Sequence, residues 1–183
     1  MISRGEALKL LDENVSDPNI KKHMIAVSSI MRDLAHRFNQ DEEPWMLTGL
    51  LHDIDYERVG RDLDRHGSLS AEMLQGKLTE ACLHAIRAHN RKTGVEAENL
   101  LDKALIAADA VSGLIVASAL VMPSKRLHEV RVKTLKKKFK DKSFARNVDR
   151  GKIMICEGID LSLEEFFDIA LKSLQRISEE LNL

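Results

Sequence analysis

One stretch limits the fold more than any other. Ala104–Met122, ALIAADAVSGLIVASALVM, carries a single charge, Asp109. A run that apolar has to leave water. Its length is close to the roughly 20 residues that span a bilayer. Small polar Ser112 and Ser118, an early Asp109 and the lack of a second such run favour a buried helix at the centre of a bundle. With 183 residues, 44% of them hydrophobic, the chain is long enough to wrap that helix. No membrane is expected. Cys82 and Cys156 are far apart and form no CxxC pair, so a reducing, cytoplasmic setting is the default. The N-terminus, MISRGEALKLLDEN, is charged from Arg4 onward and does not read as a signal peptide.

The rest of the sequence reads as helices too. Ser3-Arg4-Gly5-Glu6 fits a capping box. Asp17-Pro18 is an N-cap followed by proline at the first helical position, opening a helix to about Phe38. Pro44 starts the next, which ends near His52. Residues 54–67 have no sustained period and read as a loop. Further helices are expected at about 68–75, 78–90 and 97–121, with Pro123 as the stop. A lysine-rich surface helix follows at 126–139. Ser162-Leu163-Glu164-Glu165 fits a capping box and opens a last helix to about Leu181. Alternating strands, repeats and linkers are lacking, so residues 1–183 are read as a single all-α domain.

Net charge is −1, and no global field draws in nucleic acid. The charge is unevenly spread. Residues 131–152 hold ten Lys/Arg against two Asp, and the segment after them is acidic. The basic run has two readings. It is a solvated face, or a lid whose Lys138, Lys142, Arg146 or Arg150 meets an anion. Aromatics make up only 4% of the chain, which argues against a stacking platform for single strands.

Helical spacing shows where the ligand-type side chains point. His23, Val27, Ile30 and Leu34 share one stripe, so His23 faces inward, whereas His36 does not. Leu78, Cys82, Ala85, Ile86 and His89 share another. His84 lies roughly 140° from it and is expected to be exposed. His52-Asp53 ends an apolar run, with Asp55 close behind. Asp109 sits among Ile106, Ala110, Gly113 and Val116. A buried carboxylate there needs a cation or several donors. A single inward His is most often a hydrogen-bonded core residue. Several on different segments, together with carboxylates, suit Zn, Fe, Mn, Ni or Co.

In this order the residues resemble the HD-domain superfamily of metal-dependent phosphohydrolases, in particular its HDIG-like hydrolases. The signature of a His, an adjacent His-Asp and a distant Asp falls on His23, His52-Asp53 and Asp109. Its two-metal members add two histidines in between, matched by His66 in RHGSLSAEML and His89 in AIRAHN. The resemblance implies a helical bundle with a metal-binding core at about 18–122 and additional C-terminal helices at about 123–183. It implies one or two divalent transition-metal ions held by His23, His52, Asp53, His66, His89 and Asp109. Asp53, His66 and His89 are then the catalytic group, and Asp53 bridges the ions. The signature's basic residue after His-Asp-Ile-Gly is missing, since this chain continues Ile54-Asp55-Tyr56. Arg58, Arg61 and Arg65 are its candidate replacements for binding substrate phosphate.

The activity implied is phosphomonoester or phosphodiester hydrolysis by a metal-activated water, on a nucleotide or another small phosphate ester. Nucleic acid is not expected as partner, and a homo-oligomer is compatible with the sequence. Two other classes share the ligand set: a di-iron HD-fold oxygenase, and a regulatory module that binds metal or nucleotide.

Overall fold

The computed structural model describes residues 1–60 and 62–183. The fold is all-α, with no strand among the described residues. Helix α1 spans Arg4–Asn14, α2 Pro18–Arg37 and α3 Glu42–Leu51. Short α4 (Tyr56–Val59) and α5 (Ser68–Met73) lead to α6 (Glu80–Ala88) and the long α7 (Leu100–Leu120). The C-terminal part adds α8 (Val132–Lys140), α9 (Arg150–Met154), α10 (Leu163–Arg176) and α11 (Ser178–Leu181).

Helix α7 is the axis of the bundle, packed by α2, α3, α6, α8, α9 and α10. By length and composition it passes as a membrane span, yet 61% of its most apolar window is buried by the fold. Leu101, Leu105, Ile106, Val111, Leu114 and Ile115 are each at most 8% exposed. Burying six such side chains contributes on the order of 10 kcal/mol. The start of α7 is a capping box between Asn99 and Asp102, three residues later than the sequence suggested.

Caps explain most of the other boundaries. Ser3 and Glu6 form the expected reciprocal box. Asp17 caps α2, and Pro18 takes its first position. Asp41, not Pro44, sets the start of α3, because its side chain accepts from Glu43 N. The expected box at Ser162 is half formed. Ser162 Oγ accepts from Glu165 N, but the Glu165 carboxylate is taken by Arg37 Nε at 2.7 Å. The last helix breaks at β-branched Ile177 (φ −109°, ψ 21°) instead of running on to Leu181.

Within the expected loop 54–67 lies α4, held by the connection between α1 and α2. Glu57 accepts from Ser16 N (2.8 Å), Ser16 Oγ (2.7 Å) and Asp17 N (2.7 Å). The segment after Asp53 is thereby tied to the start of α2, the helix that bears His23. Gly49 brings α2 and α3 still closer. A Cβ at Gly49 would lie 2.9 Å from Ser28 Cα, so no larger residue fits the crossing. Cys82 and Cys156 are both free and buried.

Candidate metal centre

Five segments deliver side chains to one point beside α7. His23 comes from α2 and Asp109 from α7. His52 is the C-cap of α3 and Asp53 follows it, while His89 is the C-cap of α6. His66 precedes α5. Two helix ends therefore supply histidines whose rings turn back on their own last turns. His52 Nδ1 donates to the Gly49 carbonyl at 2.9 Å, and His89 Nδ1 donates to that of Ile86. Such bonds satisfy carbonyls that a helix end leaves open.

The same logic holds for the other two rings. His66 Nδ1 donates to Asp55 Oδ1 at 2.8 Å. Asp55 is wholly buried and also accepts from Gly67 N and Ser70 N. His23 Nδ1 lies 3.1 Å from Ser112 Oγ, whose hydroxyl donates to the Asp109 carbonyl. In all four rings Nδ1 is therefore the donor, which leaves Nε2 as the atom that faces the centre. This is how an outer layer of hydrogen bonds orients metal-binding histidines. Gly67 makes the approach of His66 to His89 possible. It sits at φ +84°, and a Cβ there would lie 2.8 Å from Ile86 O and 3.2 Å from His89 Cε1.

The free Nε2 atoms converge on carboxylate oxygens. Asp53 Oδ1 is 3.2 Å from His52 Nε2 and 3.3 Å from both His66 Nε2 and His89 Nε2. Asp109 Oδ1 is 3.2 Å from His23 Nε2 and 3.9 Å from His52 Nε2. His23 Nε2 lies 3.6 Å from Asp53 Oδ2. Ligand atoms about 2.1 Å from one ion stand roughly 3.0–3.4 Å apart, the spacing of the four contacts at 3.2–3.3 Å. The contacts are too poorly aligned to pair every atom, and buried His52 Nε2 and Asp53 Oδ1 have no hydrogen-bond partner. An orphaned imidazole lone pair facing an orphaned carboxylate oxygen in the core is costly unless a cation lies between them. The residues fit a metal on that ground. His23, His52 and Asp109 form one compact triplet, and His52, Asp53 and His89 a second. His66 joins the second at 3.1 Å from His89 Nε2.

Electrostatics shows what an ion would displace. Burial pushes the pKa of His52 down to about 4, so this ring is neutral and ready to ligate. Burial acts against the charge of His66 as well, but Asp53 and Asp55 outweigh it and raise its pKa to about 10. His23 is raised in the same way, burial being outweighed by Asp109 and Asp53. Burial opposes the Asp53 and Asp109 carboxylates too, yet the facing histidines hold both well below the usual range. A ligating His66 must lose its proton. Metal affinity should therefore rise with pH through neutrality, up to about 10, and weaken as pH falls. Calorimetry in buffers of different ionisation enthalpy should count close to one proton released by the ion that His66 holds. A proton count of zero at pH 7 would contradict this.

A family model, the HD domain, matches residues 20–114, just over half of the chain and all six of these side chains. The chain belongs to the HD domain family. HD domains bind divalent metals and are in general metal-dependent hydrolases. No curated protein and no solved structure matches the chain.

Several residues lie elsewhere than the sequence suggested. Asp109 is not deeply buried. Its side chain is 21% exposed at the open edge of the centre, where Lys152 Nζ stands 3.5 Å from Oδ2. His84 is only partly exposed, with Nδ1 3.0 Å from a carboxylate oxygen of fully buried Asp102 but no hydrogen bond between them. His36 is exposed, as its spacing indicated. Of the three loop arginines, Arg58 donates to Asn14 Oδ1 at 2.6 Å, and Arg65 is exposed and forms no ion pair with the six among the described residues. Arg61 lies outside the described residues. Tyr56 meets the edge of the His66 ring and is 42% exposed at the mouth. In the basic run, Lys138 covers the Phe144 ring and Arg150 bonds backbone carbonyls.

Three contributors escaped the sequence reading. Asp55 and Ser112 orient His66 and His23, and Asn90 fixes the 63–66 loop by donating to the carbonyls of Leu63 and His66. Asp55 left a trace, as a further polar side chain directly behind the apolar run that ends in His52-Asp53. Ser112 showed only as a small polar residue in the apolar run of α7, and Asn90 left no trace.

Proposed function

We propose that the protein is a metal-dependent phosphohydrolase acting on a small phosphate ester, as a phosphomonoesterase or phosphodiesterase. The observation that carries this reading is the convergence of four free Nε2 atoms on two carboxylates, with His52 Nε2 and Asp53 Oδ1 left orphaned. In this reading His23, His52, Asp53 and Asp109 hold one ion, and Asp53, His66 and His89 hold a second. Bound there, divalent ions supply Lewis acidity for a phosphoryl oxygen and lower the pKa of an attacking water. Asp55, Ser112 and the Gly49 and Ile86 carbonyls keep the four rings aimed, so little reorganisation is needed when substrate arrives.

Two spaces reach this centre. One of about 340 Å³ opens on Asp53 between Ile20, His23 and Tyr56. The other, about 370 Å³, runs from His23 and Ser112 between Ala26, Val116, Leu120 and Leu181. The first gives access to the ligand-type side chains of His23 and Asp53. The mostly aliphatic walls of the second suit the organic part of an ester. The protein is proposed to work on such a small molecule in the cytoplasm, apart from nucleic acid and membrane.

The test is a panel. Protein loaded in turn with Mn, Fe, Co, Ni or Zn is given aryl phosphates, a bis-aryl phosphodiester and nucleoside monophosphates. Phosphate or alcohol release that depends on added metal is the expected result. Oxygen uptake confined to the iron form, with no ester cleaved, would assign the centre to oxygenase chemistry.

A further inference from the structure

Lys152 lies outside the segment that matches the family, on α9, yet it reaches the metal centre. Its Nζ donates to the His89 carbonyl at 3.1 Å and stands 3.5 Å from Asp109 Oδ2. Among the described residues, no other Lys or Arg makes an ion pair with any of the six side chains. We propose that Lys152 binds the tetrahedral oxyanion at this centre, the phosphoryl group of the substrate, a role that rests on the hydrolase reading.

The geometry supports this in three ways. An ammonium has three donors, and only two are directed at protein atoms. The bond to the His89 carbonyl is of ordinary length, whereas the contact with Asp109 is at the outer limit of a hydrogen bond. Once Asp109 ligates a cation, its hold on Lys152 weakens further, and the ammonium is left facing the open edge. The side chain is 22% exposed, enough for an anion to meet it.

The element that carries Lys152 is firmly set. The Asp149 side chain caps α9 by accepting from Gly151 N at 2.8 Å and Lys152 N at 3.3 Å. Arg150 donates to the carbonyls of Ala145 (2.6 Å) and Val148 (2.7 Å), and to that of Phe144, which locks the preceding loop. Helix α9 packs directly on α7. The basic run thus divides by role, with Arg150 building the support and Lys152 presenting the charge. The position left without its basic residue after His52-Asp53 is then served from the C-terminal part of the chain.

The competing role is a tether that pins α9 to the carbonyl of His89. Lys152→Gln separates the two, because its amide keeps a donor for that carbonyl and removes the charge. The manganese-loaded full chain, wild type and Lys152→Gln, →Met and →Arg, is titrated with inorganic phosphate by calorimetry. Metal content is measured on the same samples. The Gln and Met variants should keep their ions and bind phosphate about tenfold to a hundredfold more weakly. The Arg variant should recover part of the loss, since guanidinium also binds phosphate. Wild-type phosphate affinity in Lys152→Gln would overturn the proposal. So would loss of metal in that variant, or a wild type that does not bind phosphate. This titration needs no turnover. A chain that binds phosphate through Lys152 but hydrolyses nothing keeps this inference and loses the hydrolase reading. Hydrolysis with unchanged KM in Lys152→Gln does the reverse.

Discussion

Asp53→Ala should abolish metal-dependent hydrolysis and empty at least the ion held by His66 and His89. The reason is its position: three Nε2 atoms lie 3.2–3.3 Å from its Oδ1, and its Oδ2 faces His23. His52 belongs to both triplets but offers one nitrogen to them, whereas the two Asp53 oxygens between them face all four rings. The loss should exceed the tenfold to hundredfold that removal of an outer hydrogen-bond partner typically costs. Asp55→Asn supplies that comparison, because Asp55 holds the Nδ1 of His66 and not the Nε2 that faces the centre. His89→Ala should retain the ion of His23, His52 and Asp109 while losing the other. Full activity and two ions in His89→Ala would leave only a mononuclear centre. His36→Ala is the proper control, with a side chain that is 82% exposed and remote from the cluster. His84→Ala is not, because the partly buried ring stands 3.0 Å from the carboxylate of buried Asp102, and its removal opens space beside that charge.

The contrast between His36 and His84 shows what the sequence carried. Helical periodicity records which side of a helix faces the core, and it put His23 and His89 inward and His36 outward. It does not record what a second helix lays over the flank, and α7 lays Asp102 against His84. Caps were legible where they are local, as at Ser3 and Asp17. They were misread where a long-range partner competes, as Arg37 does for Glu165. His23, His52, Asp53, His89 and Asp109 stood out because neutral rings and carboxylates are expensive on apolar faces, whereas His66, in the expected loop, was picked out only by the resemblance to HD-domain proteins. Lys152 did not stand out, because a lysine in a run of ten basic residues has nothing local to distinguish it. Its role follows from α9 folding back on α7, a contact across 43 residues of chain. Arg58 illustrates the opposite error. It sits at a plausible distance from His52-Asp53 in sequence, but the turn of α4 directs it to Asn14.

The second large effect is expected at Asp109. This carboxylate faces His23 at 3.2 Å and Lys152 at 3.5 Å, so it is not an unpaired buried charge even without metal. Its pKa lies well below the usual carboxylate range, because burial is outweighed by His23 and His52. A depressed folded-state pKa contributes stability above the unfolded value near 3.8 and loses it as pH falls through the folded one. Asp109→Asn should therefore destabilise the metal-free protein at pH 7, and the difference should fade in acid. With metal the effect is larger. An ion that binds only the folded chain stabilises it by about 2.7 kcal/mol at a hundred times its Kd. If Asp109 is a ligand and its loss weakens binding about a hundredfold, roughly that whole margin disappears. For a chain of this size that is about 5–10 °C of Tm. If instead Asp109 only anchors Lys152 and α9, the variant loses the same amount with and without metal. Four melting curves, wild type and Asp109→Asn each with and without manganese, decide the matter. A holo–apo gap in the variant equal to that of the wild type would remove Asp109 from the centre. It would also leave His23 and His52 without the carboxylate that completes their triplet.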